Sequence, residues 1–205
     1  GITATMTDSP GHHYNNYYSI RVTLTGPVVT RSQWNSVNPG RIDRPSLPQT
    51  FELVGRDSSG NAVVKYGFEL KQWFVGGGQG SHSFASSKCN SFGYRLPIIS
   101  DLTNATCPGD YSDSDECQGA VGATPSSPDR YLRRHIGAGF FTEWGDVSTY
   151  RGSVFYGSTN QYWTSEQKSD NNKYFLVHSL IGRIFTYSDE REHMGNNAYA
   201  LCVYP

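Results

Sequence analysis

The chain has 205 residues, with 17 Lys and Arg against 18 Asp and Glu and a formal net charge of -1. Hydrophobic residues make up 36% and aromatic ones 14%, enough apolar surface for a core, which excludes a wholly disordered chain. The even charge balance excludes a nucleic-acid or anionic-membrane binder that works through a basic face, and no run of about 18 apolar residues is present to cross a bilayer as a helix.

No basic stretch followed by an apolar one opens the sequence, so no signal peptide is read. The chain is then either cytosolic or a mature or excised piece of an exported protein. Composition favours export: 22 Gly, 14 Tyr and 10 Pro against 2 Met suit short strands and long loops better than helix bundles. Tyr17 to Thr25 alternates with β-branched residues and ends at Gly26-Pro27, which predicts a strand and a turn. Residues 31–50, rich in Pro, Asn, Ser and Arg, read as an ordered loop or ragged edge. Phe51–Arg56 and Ala62–Leu70 read as hairpin arms around Asp57-Ser58-Ser59-Gly60-Asn61. Several short strands in about 75 residues without a cysteine predict a small immunoglobulin-type β-sandwich over residues 1–75. The glycines at 76–80 read as a joint or loop that opens a second domain, 76–205.

In that second part KQWFV reads as an apolar strand. Phe84–Phe92 reads as a short helix ended by Gly93, and Ser100 as the cap of another. IGAGFFTEWG, YWTSE, KYFLVHSLIGRIFTY and AYALCVYP read as apolar or alternating strands, with HSLIG as a hairpin turn. The four cysteines, Cys89, Cys107, Cys117 and Cys202, allow three pairings. Cys107 and Cys117 bracket a short polar loop that they could staple, and four free buried thiols remain the alternative. None forms a CxxC pair, which argues against a structural zinc site.

The segments FELKQWF (Phe68–Phe74), GYRLPIISDLTNA (Gly93–Ala105), IGAGFFTEWG (Ile136–Gly145) and YWTSE (Tyr162–Glu166), with a last strand ending Cys-Val-Tyr-Pro, carry a resemblance. Together they resemble the C-terminal tip of the intimin/invasin family, the inverse autotransporters of Gram-negative outer membranes. The resemblance covers about residues 68–205 by motif, and residues 1–67 fit the adjoining domain by pattern alone. It implies a β-rich α+β chain, an immunoglobulin-like β-sandwich followed by a C-type lectin-like domain, with Cys89 paired to Cys202 and Cys107 to Cys117. It further implies an extracellular, monomeric adhesin on the bacterial surface, anchored in the outer membrane by a part of the chain not present here. Such a tip grips a host cell-surface or secreted protein, an immunoglobulin among the candidates, without catalysis, cofactor, nucleic acid or membrane contact.

The Glu-Pro-Asn or Gln-Pro-Asp and Trp-Asn-Asp segments of calcium-dependent lectins are absent, and Trp163-Thr164-Ser165 is followed by one carboxylate, Glu166. The acidic loop with Asp110, Asp113, Asp115 and Glu116 lacks the glycine turn and distal Glu of an EF-hand. No GxSxG, HExxH or phosphate-loop motif occurs. His12, His13, His135, His178 and His193 read as surface or partly buried residues, and Glu143 as a buried, partnered carboxylate. Trp73, Trp144 and Trp163 read as core. Formylglycine-generating oxidases share a related fold but rely on a cysteine pair near the chain end, where only Cys202 stands. A glycan-binding lectin is the alternative function. For the protein partner, the long polar segments 106–134 and 146–161 supply the expected anchors, Tyr111, Tyr131, Arg133, Arg134, Tyr150, Arg151, Phe155 and Tyr156, because Tyr and Arg dominate binding hot spots and long loops commonly carry function.

Overall fold

Strands with β-branched and aromatic alternation dominate the molecule, and the helices are few and short, so the chain is a β-rich α+β protein. The computed structural model describes residues 1–9, 19–36, 38–107, 116–155, 160–169, 172–188 and 198–205. The chain forms two compact units, Gly1–Val28 with Ile42–Trp73 and Tyr204–Pro205, and Val29–Arg41 with Phe74–Val203. Residues 29–41, which the sequence pattern leaves in the N-terminal domain, thus belong to the second unit.

In the first unit, β1 (Thr3–Ser9) pairs antiparallel with β2 (Ser19–Thr25), and β3 (Gln49–Arg56) with β4 (Ala62–Leu70). The β3–β4 turn is tied by Asp57, whose Oδ1 accepts the Ser59 and Asn61 N–H groups, each at 2.9 Å. These bonds, the Asn61 backbone first, hold its carboxyl below the usual aspartate range. Ile2, Phe51 and Leu53 are buried, and the Phe51 and Phe68 rings stack at 5.1 Å. The Trp73 indole donates to the Pro27 carbonyl at 2.7 Å.

The second unit is built on a five-stranded mixed sheet of order β5-β9-β6-β7-β8, from β5 (Trp73–Gln79), β6 (Gln161–Gln167), β7 (Lys173–His178), β8 (Ile184–Ser188) and β9 (Ala198–Tyr204). β6 runs parallel to β9 and antiparallel to β7, and β7 antiparallel to β8. Cys89 is bonded to Cys202 and Cys107 to Cys117, the pairs that the resemblance implies. Two disulfides fit a chain folded in an oxidising compartment. No helix among the described residues is long and apolar enough to cross a membrane.

Four local readings are corrected. The stretch read as loop carries helix α1 (Arg31–Asn35), capped by Thr30, whose Oγ1 accepts the Gln33 N–H while Gln33 Oε1 accepts the Thr30 N–H. Of the glycines read as a joint, Gly76, Gly77 and Gly78 lie inside β5, where Val75 to Gly78 are buried, and Gly80 follows the strand. A Cβ on Gly77 would stand 2.7 Å from the Ala200 Cβ and 3.3 Å from Cys202 Sγ, so glycine is what lets this strand lie against β9. Helix α2 (His82–Phe92) ends at left-handed Gly93 as read, but α3 (Ile99–Leu102) is capped from Ile98 rather than Ser100, with Asp101 Oδ2 accepting the Ile98 N–H at 2.9 Å. The run FFTEW is helix α4 (Phe140–Trp144), not a strand.

Lys88 on α2 is 3% exposed and donates to the carbonyls of Gln33, Trp34 and Ser36 at 3.1, 3.0 and 2.5 Å. Its ammonium supplies the C-terminal acceptors of α1 with their donors, while burial pulls its pKa below the ordinary lysine value. Lys88→Met keeps the stem and removes the donors. It is expected to speed amide exchange at Trp34, whose N–H bonds Thr30, while leaving the sheet amides unchanged.

Candidate binding surface

The first long loop follows α3 and is shaped by a buried amide. Asn104 is 2% exposed. Its Oδ1 accepts the Arg133 N–H at 3.0 Å, and its Nδ2 donates to the carbonyls of Arg133 and Pro125, each at 3.0 Å. The Thr142 hydroxyl on α4 donates to the same Oδ1 at 3.3 Å and accepts the Asn104 N–H at 3.1 Å. One side chain thereby does for Arg133 what a neighbouring strand would do, satisfying both backbone groups at once. Buried Ser127 adds a second hold: its N–H reaches the Asn104 carbonyl at 2.8 Å and its hydroxyl donates to the Tyr131 carbonyl at 2.6 Å. The Leu132 N–H donates to Ile181 in the β7–β8 turn at 2.8 Å.

This backbone carries the expected anchors outward. Tyr131 is 37% exposed, with the Arg130 guanidinium 5.1 Å over its ring. Arg133 is ion-paired with Asp129, whose carboxyl also accepts the Tyr131 N–H at 2.9 Å. That backbone bond first, and then Arg133, keep Asp129 below the usual carboxylate range. Arg134 turns the other way, towards the second loop. Its Nη1 lies 1.7 Å from where a Cβ on Gly145 would be, and Gly145 has a φ of +73°, so any other residue there would displace the guanidinium.

Tyr150 stands on the second loop, within reach of the Arg134 charge. Its hydroxyl donates to the Trp144 carbonyl, its ring packs edge-on to the Trp144 indole at 6.3 Å, and it is 40% exposed. Burial raises its phenol pKa, with Arg134 opposing and Asp146 reinforcing the shift. Asp146 also caps a 3-10 turn, Val147–Thr149, by accepting the Ser148 N–H at 3.0 Å. Consecutive residues Arg133 and Arg134 therefore link the two loops. Arg151 is exposed. Phe155 is a correction: it is 8% exposed and packs on Phe140 and Tyr162, so its ring is core and not an anchor. Tyr111 and Tyr156 lie outside the described residues, as do Asp110, Asp113, Asp115, His12, His13 and His193.

Glu116, His178, Trp163 and Glu166 have structural partners. Glu116 pairs with Arg183 at 2.7 Å. Burial lowers the pKa of His178, which accepts the Leu180 N–H on Nδ1 at 3.2 Å. Trp163 is buried and donates to the Gly80 carbonyl at 2.9 Å. Among the described residues no group of three or more His, Cys, Asp or Glu could hold a metal ion. Glu166 Oε2 accepts the Ile99 N–H at 2.5 Å, at the start of α3.

Burial raises the Glu166 pKa above its ordinary 4.5, and the Asp101 charge adds to this against the Ile99 bond. The folded state therefore binds more protons than the unfolded one between the ordinary and raised values, and stability falls as pH rises through the raised value. Glu166→Gln keeps an acceptor for Ile99 without the charge. Thermal melts across pH are expected to show the variant more stable than the wild type at neutral pH, with the difference shrinking as the pH becomes acidic.

Comparison with known protein families, with curated proteins and with solved structures gives no match for this chain. The functional reading therefore rests on the residues and their geometry. Sequence reasoning named the outward-facing Tyr131, Arg133, Arg134 and Tyr150, and missed Asn104, Ser127, Asp129 and Gly145, which hold them in place.

Proposed function

We propose that the chain is the adhesive end of an intimin/invasin-type surface protein: an immunoglobulin-like domain followed by a C-type lectin-like domain, displayed by a Gram-negative outer membrane and gripping a host protein without catalysis. The observation that carries this reading is the pair of loops around Arg133 and Arg134, whose Tyr and Arg side chains face solvent from a backbone fixed by buried polar groups. A loop that is already ordered loses less entropy on docking, so its exposed side chains can act as anchors. The motif segments and the Cys89–Cys202 link between α2 and the last strand add support for the domain assignment.

The test is capture of proteins from host-cell surfaces and serum by the immobilised chain, followed by alanine substitution. Tyr131→Ala, Arg133→Ala and Tyr150→Ala are each expected to weaken the captured partner about tenfold or more, about 1.4 kcal/mol, with melting temperatures close to wild type. Retained binding in all three would move the site elsewhere.

A second reading, glycan binding, is favoured by a separate feature. A shallow groove of about 730 Å³ runs along α2 and is lined by Ser83, Ser86, Ser87, Asn90 and Tyr174 among others, hydroxyl and amide groups beside an aromatic ring. A glycan array on the wild type and on Asn90→Ala separates the two readings.

A further inference from the structure

We propose that the outer edge of β4 is a pairing surface for a second copy of this chain, joined strand to strand about a two-fold axis at Gly67. This departs from the monomer that the family resemblance implies, and it uses no residue of the adhesive loops. Among the described residues β4 is paired with β3 alone, on one side. A strand with one side unpaired presents a row of main-chain N–H and C=O groups, the template on which another strand pairs. Val63, Val64 and Tyr66 on β4 are 64%, 55% and 54% exposed. The register against β3 runs without a break from Val64 to Leu70, and this stretch holds no proline. Of the devices that keep an edge from pairing, a bulge, a proline or a lysine, the stretch carries only Lys65.

Glu69 answers that lysine. It is exposed, and it lies on the same face of the strand as Lys65. In an antiparallel pair of identical strands centred on Gly67, Lys65 of each copy lies opposite Glu69 of the other, twice by symmetry. Tyr66 then faces Phe68 and Val64 faces Leu70, so the apolar faces of the two copies join and the whole regular stretch is used. Moving the axis to residue 65 or 69 sets like charges against each other, which is unfavourable. Moving it to 66 or 68 places Glu69 opposite Val63 or Gly67, away from any lysine. Lys65 also meets Glu52 on β3 at 3.2 Å, with side chains 64% and 63% exposed; an exposed pair holds weakly, and an ammonium has further donors for a second carboxylate. The glycine at the axis is a separate observation. Gly67 has no positive φ, and a Cβ there would meet only the Phe51 carbonyl oxygen, at an ordinary 3.7 Å. Neither a turn nor crowding in the hairpin calls for glycine, which weakens a strand interior, whereas close approach of another backbone is a common reason for one. A single strand pair is smaller than a standard interface, so the association is weak and driven by concentration.

The test is sedimentation velocity of the full chain over a concentration series from about 10 µM to about 500 µM. A reversible monomer–dimer equilibrium is expected. Lys65→Glu and Glu69→Lys each set like charges across the axis, and each is expected to weaken the dimer about tenfold or more. Both positions are exposed, so thermal melts are expected to stay close to wild type. Mixed together, these two variants complement each other and are expected to associate as the wild type does. The exchange Lys65→Glu/Glu69→Lys in one chain is likewise expected to restore the dimer. Arg21→Glu on exposed β2 changes the net charge as much as Lys65→Glu does and is expected to leave the dimer unchanged. The proposal is overturned if the wild type stays monomeric at the highest concentration, or if either single variant dimerises like wild type. It is equally overturned if the mixture of the two fails to associate, or if Arg21→Glu weakens the dimer as much as they do.

Discussion

Replacing both Cys89 and Cys202 by alanine is expected to destabilise the second unit by about 4–5 kcal/mol, because their bond closes a loop with a sequence separation of 113 residues. Both cysteines are fully buried, so the substitution also removes packed sulfur atoms and adds to the loss. Against a typical total stability of about 5–15 kcal/mol, that places the variant near the edge of folding. The Cys107–Cys117 bond spans a separation of 10 residues, and the same chain-entropy reasoning gives about 3 kcal/mol or less. Urea titrations of the two double variants check the order. The long-range pair is expected to lose clearly more, and equal losses would show that loop length does not set the contribution.

Asn104→Ala is expected to cost about 2–4 kcal/mol, the largest effect of any single substitution near the binding surface. The variant leaves the Arg133 N–H and carbonyl and the Pro125 carbonyl without the partner that now serves them, and takes from the Thr142 hydroxyl the acceptor of its proton while the backbone N–H of residue 104 still donates to it. A buried polar group left unpaired costs about 1–3 kcal/mol, and partial entry of water keeps the sum below the product of these numbers. Asn104→Leu fills the space without restoring a bond and is expected to fall in the same range, whereas a surface change such as Arg151→Ala is expected within about 0.5 kcal/mol of wild type. Hydrogen exchange provides the second readout: the Arg133 amide is expected to lose protection in Asn104→Ala while the amides of β7 keep theirs. Loss of stability without loss of that protection would show that the hub packs the core but does not shape the loop.

The sequence signals that succeeded were local ones. Alternation marks β2, β3 and β4, the Asp57–Asn61 turn joins the last two, and Gly93 ends α2, because each depends on neighbours within a few residues. Helix α1 has a local signal too, since Thr30 and Gln33 form a Thr-x-x-Gln capping pair, but it sits inside a stretch whose Pro and Ser content suggests a loop. Helix α4 was ambiguous in principle, since a five-residue apolar run has no period long enough to separate helix from strand. The glycines of β5 misled for a different reason. Their lack of side chains reads as flexibility in sequence, while in the fold it makes room for β9 and for Trp34, which lies 3.0 Å from a Cβ placed on Gly76. Asn104 carried no signal at all. An asparagine between Thr103 and Ala105 in a polar segment looks exposed, and its burial follows from three segments, at residues 125, 133 and 142, that close over it from elsewhere in the chain.

The Asn104 arrangement separates two kinds of information along one stretch of chain. The route of the backbone from Ser127 to Arg133 is written in side chains beneath it, and they hold main-chain atoms of that stretch rather than its outward side chains. Any residue type has those same main-chain atoms. Positions 130, 131 and 133 can therefore drift through many surface chemistries while the path beneath them stays constant. Over evolutionary time such a loop can exchange one recognised target for another without passing through an unfolded ancestor, much as an antibody framework outlasts the paratopes mounted on it.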